Sequence, residues 1–232
     1  MGFSGGRAGA VDLTHAFVCA DTNLGTVGHM TSNLSMKVSI RTHSNHDVCT
    51  AAAGHHLNSF WVVDSNTPVG PGSPASNRRA AAGFTADIHN HLRGSVRHGE
   101  QDPMIAGGAA LRHAWRNWKD QHPGATPPQA SIAMATAVGG EVRLYRCGGG
   151  SVELRSAADD CASLRSGGPQ AVTVPTPEGP STLLLYSSAM GEIEDAGTLL
   201  SEQGTWAGLR ALRAAGSEDD VALLVARHGA AR

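Results

Sequence analysis

The sequence predicts an α+β fold with a large antiparallel component, and three observations predict it. Strand-like segments come before, between and after the helix-like ones, so the one-for-one βαβα order of a parallel sheet is missing. In the middle of the chain "ASIAMATAV", "GG" and "EVRLYRC" follow one another, two strand-like runs around a Gly-Gly turn, which reads as a hairpin. Two Ala-rich helical stretches stand next to each other, at 77–93 and 104–120, and suit a pair covering one sheet.

Each element has its own local reason. "MKVSIRT" alternates apolar and polar residues, and "SFWVVDSN" is a short apolar run that ends in turn residues. His55 and His56 precede that run and read as a polar turn. "TPVGPGSPAS" (67–76) is a Pro/Gly/Ser loop, and Ser76 or Asn77 suits the N-cap of the next helix. In that helix Phe84, Ile88 and Leu92 recur every fourth residue on one face. The second helix, "MIAGGAALRHAWRNWKD", stops before His122-Pro123-Gly124. After the hairpin, "GGG" (148–150) makes a tight turn into the strand "SVELRS". "QAVTVPTPEGPSTLLLYSSA" gives two strands around a Pro/Gly loop, "EDAGTLLSEQGTWAGLRALRAA" is helical in its second half, and "DDVALLVARHG" is a closing strand. The expected architecture is a two-sheet antiparallel sandwich with helices packed outside.

Bulk properties exclude several classes. The 232 residues suit one domain, and 41% hydrophobic with 16% charged residues suits a globular chain with a sizeable core. The net charge of −2, with 12 histidines uncounted, gives no global basic field for nucleic acid or an anionic membrane surface. The cysteines, at 19, 49, 147 and 161, form no CxxC pair, so a reduced, cytoplasmic protein is expected. No apolar run approaches the roughly 18 residues of a spanning helix. Residues 1–30 read as a Gly-rich leader, or as a remnant of expression, since Gly28-His29-Met30 resembles what a protease leaves. Residues 31–232 then form the domain.

The candidate chemistry lies in acids at strand ends. Asp47 follows "MKVSIRT", Asp64 ends "FWVVD", and Asp219 and Asp220 stand immediately before "VALLVAR". Carboxylates at strand ends can converge at one sheet edge, and three hard oxygen donors suit Mg²⁺ or Mn²⁺. Taken singly, each is equally an ordinary turn aspartate. Around Asp47, "THSNHDV" and "CTAAAGHH" bring four histidines together in sequence. His89 and His91, two apart on a helix, face different ways and make a poor ligand pair with each other.

In order and spacing these segments resemble the metal-dependent PP2C-type (PPM) protein phosphatases. The matching pieces are "RTHSNHD" (41–47), "WVVDSN" (61–66), the helices at 77–120, "CGGGSVELR" (147–155), "LLLYSSA" (183–189) and "SEDDVALLVAR" (217–227), together covering about residues 35–228. The resemblance implies α-β-β-α layers and two divalent ions that activate a water for attack on a phosphate ester. It implies Asp47, Asp64, the Ser65 carbonyl and Asp219 as metal ligands, Arg41 as the phosphate-binding arginine, and Mn²⁺ or Mg²⁺ as cofactor. The substrate would be a phosphorylated protein (phosphoserine or phosphothreonine) or a small phosphorylated metabolite.

Departures from the family pattern are as informative. The family "NED" reads "NHD", so His46 replaces a glutamate, and Arg41 sits one residue further from Asp47 than the pattern has it. The "GDS" aspartate, which holds a third ion in bacterial members, falls on Gly149, and the "SDG" aspartate, a ligand of the second ion, falls on Ser188. Asp47, Asp64 and Asp219 could then hold one ion rather than two. His46 would be a nitrogen ligand, a catalytic acid/base group near neutrality, or a solvent-facing histidine. Glu192, Glu194 and Asp195 are distant candidates to replace the carboxylate lost at 188. Three functions stay open at this point: an attenuated phosphatase, a pseudophosphatase that binds a phosphorylated or regulatory partner, and an enzyme repurposed around the histidine-rich edge.

Overall fold

The computed structural model describes residues 36–66, 73–156, 160–165, 167–192, 199–217 and 219–229. The expectations for residues 1–30, and for Glu194 and Asp195, lie outside the described residues. In chain order the strands are β1 (Met36–His43), β2 (Ala51–His56), β3 (Ser59–Ser65), β4 (Ala130–Val138), β5 (Glu141–Gly148), β6 (Ser151–Ser156), β7 (Asp160–Leu164), β8 (Gly167–Pro175), β9 (Ser181–Tyr186) and β10 (Val221–His228). The helices are α1 (Pro74–Arg97), α2 (Pro103–Gln121) and α3 (Glu202–Ala214). Two five-stranded sheets result, ordered β1-β10-β9-β6-β7 and β2-β3-β4-β5-β8, with antiparallel neighbours throughout.

Strand alternation distributes the side chains into layers. Phe60 and Val62 of β3, Ala133 and Ala135 of β4 and Leu144 of β5 meet Leu154, Leu183, Leu185 and Leu224 between the sheets. The alternate residues Trp61, Val63, Ile132, Met134 and Tyr145 face the other way, against Phe84, Ile88 and Leu92 of α1 and Ala110 and Trp118 of α2. On the opposite sheet Leu184, Tyr186, Leu223 and Val225 pack on Leu209 and Leu212 of α3. Each large apolar side chain buried this way stabilises the fold by about 1.5–3 kcal/mol. The layers are therefore α-β-β-α, as expected. Small residues let α2 lie close: a Cβ at Gly107 would stand 2.5 Å from Tyr145 Cε1.

Local details differ from the sequence reading. α1 begins at Pro74, not near residue 77, because Pro suits the first helical position. Its cap is Ser73, whose Oγ accepts from Ser76 N at 3.2 Å. His55 and His56 belong to β2 and pair with Phe60 and Ser59. The tight turn comes after them, where Leu57 takes φ 50°. "SVELRS" does not pair with the strand before it. Across Gly148–Gly150 the chain leaves one sheet for the other, and β6 pairs with β7 and β9. β8 and β9 likewise fall in different sheets, and β7 has no counterpart in the sequence reading. No helix among the described residues is long and apolar enough to cross a membrane.

Candidate functional site

Three segments meet at one edge of the sandwich: the end of β3, the turn after β9, and the entry to β10. Asp64 shares the parity of Phe60 and Val62, so its carboxylate turns in between the sheets and is 6% exposed. Its Oδ2 accepts two bonds from Ser188, one from the backbone N at 2.8 Å and one from Oγ. Ser131, its cross-strand partner on β4, adds a weaker favourable contact. Burial raises the Asp64 pKa above the ordinary carboxylate value; the Ser188 bonds and, more weakly, the neighbouring Ser131 hydroxyl oppose the shift, and the nearby Asp219 charge adds to it.

The two closing aspartates have separate duties. Asp220 keeps the inward parity of Ala222 and Leu224 and is buried. Its Oδ2 accepts from Thr50 N at 2.6 Å and Thr50 Oγ1 at 3.0 Å, and pairs with the Arg78 guanidinium of α1 at 3.1 Å. The Thr50 carbonyl in turn accepts from Ser65 N at 3.0 Å and Thr85 Oγ1 at 2.8 Å. Ser65 Oγ turns away from the edge and donates to Ala81 O at 2.9 Å. This chain of bonds ties both sheets to α1. Asp219 is exposed, and its charge reaches Asp64.

The other expected site residues are placed elsewhere. Arg41 lies opposite Leu223 in the β1/β10 ladder and so faces α3. Its guanidinium donates to Thr205 Oγ1 at 2.6 Å and Ser201 O at 3.3 Å, which makes it a clasp between β1 and α3. Asp47 is exposed. His46 is half-buried, its backbone N donates to Ser44 Oγ at 3.1 Å, and its Nε2 is buried without a partner among the described residues. Among those residues no three His, Cys, Asp or Glu side chains come together as a metal-binding group, so Asp47, Asp64 and Asp219 do not assemble one. Sequence reasoning named Asp220 but gave the closing role to Asp219, and it missed Thr50, Arg78 and Ser131. The parity of "DDVALLVAR" was a usable signal for Asp220; nothing local marked the other three.

Fit to a divalent ion can be judged from the donors themselves. Asp64 Oδ1 and Asp220 Oδ1 are both buried without a partner among the described residues. Asp64 Oδ1, with Asp219 close by, suits a single hard cation. Bridging two ions would need Oδ2 as well, and Ser188 saturates it with two donors. At Gly149, where a third ion would need a carboxylate, an added Cβ would stand 2.5 Å from Ser188 Cβ. The residues present therefore do not supply the donors of a two- or three-ion site.

The sequence matches no protein-family model, and no curated protein matches it. Solved structures do match. The serine/threonine phosphatase PstP/Ppp of Mycobacterium tuberculosis superposes with a TM-score of 0.61 at 12% identity, over 82% of this chain and 97% of that one. The catalytic domain of PstP in complex with two manganese ions gives 0.58 at 12%, over 82% and 97%. The PPM Ser-Thr phosphatase MsPP of Mycobacterium smegmatis, in complex with cacodylate, gives 0.57 at 13%, over 84% and 99%. What this chain has in common with them is the PP2C-type fold across nearly their whole length.

Proposed function

We propose that this chain is a PP2C-fold binding module, a pseudophosphatase that engages a phosphorylated protein partner and holds at most one divalent ion, Mn²⁺ or Mg²⁺, at Asp64 and Asp219. The observation that carries this reading is the pair of donors from Ser188 on Asp64 Oδ2. In a two-ion hydrolase that oxygen would have to be free for the second cation. Two further features agree. Arg41 is engaged by α3 instead of facing the edge, and Arg78, the guanidinium brought to that edge, is paired with Asp220. When bound, a divalent ion would supply a positive charge beside Asp64, and this chain's part is to hold it through Oδ1 and to exclude a second.

The test is a calorimetric titration with Mn²⁺ and Mg²⁺, run beside hydrolysis of p-nitrophenyl phosphate and of phosphoserine and phosphothreonine peptides. The expected result is no more than one ion per chain, with turnover at the uncatalysed background and peptide binding that depends on the phosphate. Two bound ions with turnover would overturn the proposal. A second reading, an attenuated phosphatase, draws on one specific feature, the unpartnered and buried Asp64 Oδ1. Slow turnover that disappears in Asp64→Asn and rises in Ser188→Asp would establish that reading instead.

A further inference from the structure

The helix layer leaves one face of α2 open. At about 100° per residue, Met104, Gly108, Trp115 and Lys119 fall on one side of an arc whose other side holds Ile105, Ala109 and Arg116, with Arg112 between them. The opposite side of the helix, at Ala106, Ala110, Ala114 and Trp118, is buried against the sheet. Among the described residues, the large apolar side chains left exposed are Leu57, on the β2–β3 turn, and three on this arc. These are Met104 and Ile105, each at 52%, and Trp115 at 48%. Exposed apolar residues are ordinarily scattered singly, and their grouping on one helix face is the pattern of an interaction surface.

The arc has relief and charge as well as apolar content. Met104 and Trp115 stand about 16 Å apart along the helix axis, and the small residues Gly108 and Ala109 lie low between them. Arg112 folds back over Gly108, where an added Cβ would stand 3.2 Å from its Nη1. That sets a guanidinium midway between the two apolar ends. Lys119 Nζ lies 5.9 Å from the centre of the Trp115 ring, a cation–π distance. From Pro103 to Lys119 the helix carries no carboxylate, and Arg112, Arg116 and Lys119 are all exposed. At the other end a groove of about 410 Å³ opens beside Ile105, lined by Ser95, His98, Glu100 and Ala109. Glu100 accepts from Asp102 N at 2.8 Å, so this end suits an apolar side chain and not an acid.

We propose that this face of α2 docks an acidic amphipathic helix of a protein partner. One apolar residue of that helix packs on Met104 and Ile105, a second packs on Trp115, and carboxylates between them pair with Arg112 and Lys119. Aromatic, Met and Arg side chains are the types enriched at the centres of interfaces. Charge and relief decide against other occupants. A second copy of the same face would set three cations against three. An anionic membrane takes a continuous apolar helix face, and here Gly108 and Arg112 interrupt it. The chain's net charge of −2 also gives no long-range attraction to such a surface. The site stands on α2 and does not rest on the reading given for the Asp64 edge.

The experiment is fluorescence anisotropy of a labelled, stapled helical peptide of about five turns, with leucine along one stripe and glutamate beside it, titrated with the full chain. The control peptide has lysine in place of each glutamate. Saturable one-to-one binding that weakens with added salt is expected for the acidic peptide, and none for the lysine peptide. Trp115→Ala and Arg112→Glu should each weaken binding by at least about tenfold. Leu57→Ala and Asp64→Asn should leave it unchanged. Melting temperatures check that each variant folds; should Arg112→Glu fail, the exposed Trp115→Ala decides. No saturable binding of the acidic peptide, equal binding of the lysine peptide, or binding unchanged in Trp115→Ala would overturn the assignment. So would self-association, or co-sedimentation with phosphatidylserine vesicles, that Trp115→Ala abolishes.

Discussion

Truncating Ser188 to alanine removes one of the two donors on a carboxylate that the fold has taken out of water. The backbone bond from Ser188 N at 2.8 Å stays, the Oγ bond goes, and Asp64 Oδ1 is already without a partner among the described residues. A hydrogen bond to a charged group contributes about 1.5–3 kcal/mol. At about 2–4 °C per kcal/mol for a chain of this size, the melting temperature of Ser188→Ala at pH 7 should fall by roughly 3–12 °C. The pH dependence sharpens the test. Because burial raises the Asp64 pKa, its contribution to stability is fully present below the unfolded pKa and is lost as pH rises through the folded one. The Ser188 bonds favour the ionised form and limit that loss, so the deficit of the variant should be largest near neutrality and shrink as Asp64 protonates. Thermal melts in EDTA from pH 4 to pH 8 read this directly, and a repeat with Mn²⁺ should recover more stability in Ser188→Ala than in the unaltered chain. An unchanged melting temperature at pH 7, or a deficit that does not vary with pH, would refute the reasoning.

Asp64→Asn keeps the shape of the side chain and removes the buried charge, so in EDTA it should melt higher than the unaltered chain at pH 7 and lose any Mn²⁺-induced shift. Gly149→Asp should not rebuild a third-ion site: its Cβ meets Ser188 Cβ at 2.5 Å, and overpacking of this kind costs about 1–3 kcal/mol, read by denaturant unfolding. Arg78→Ala leaves the buried Asp220 carboxylate with only its two Thr50 donors, so the loss should stay below the about 3–5 kcal/mol of breaking a fully buried pair, and the double variant with Asp220→Asn should recover much of it.

The legible parts of this chain were those written within single elements. The apolar runs of β3, β4, β5 and β10 and the four-residue spacing of Phe84, Ile88 and Leu92 gave the elements and their layering, because alternation at two or near four residues states which faces are buried. Asp64 and the Asp219-Asp220 doublet were visible as acids at the ends of such runs. Their order along the chain, with the helix pair between them, carried the likeness to the PP2C fold.

Which residues meet at the edge was decided by tertiary structure. "SVELRS" has the pattern of a strand in either sheet, and pairing with β9 rather than β5 follows from a crossing at Gly148–Gly150 that local sequence does not encode. Arg41 stands near Asp47 in sequence, yet its register opposite Leu223 turns it to α3, while Arg78, on a helix with no acid in its first turn, reaches Asp220. Ser188 could be read as a lost ligand; that it saturates Asp64 Oδ2 depends on bringing together residues 124 positions apart. Periodicity records the burial of each element one residue at a time. Contacts between elements depend on how whole faces pack, and here that packing divides the candidate acids between structure and site.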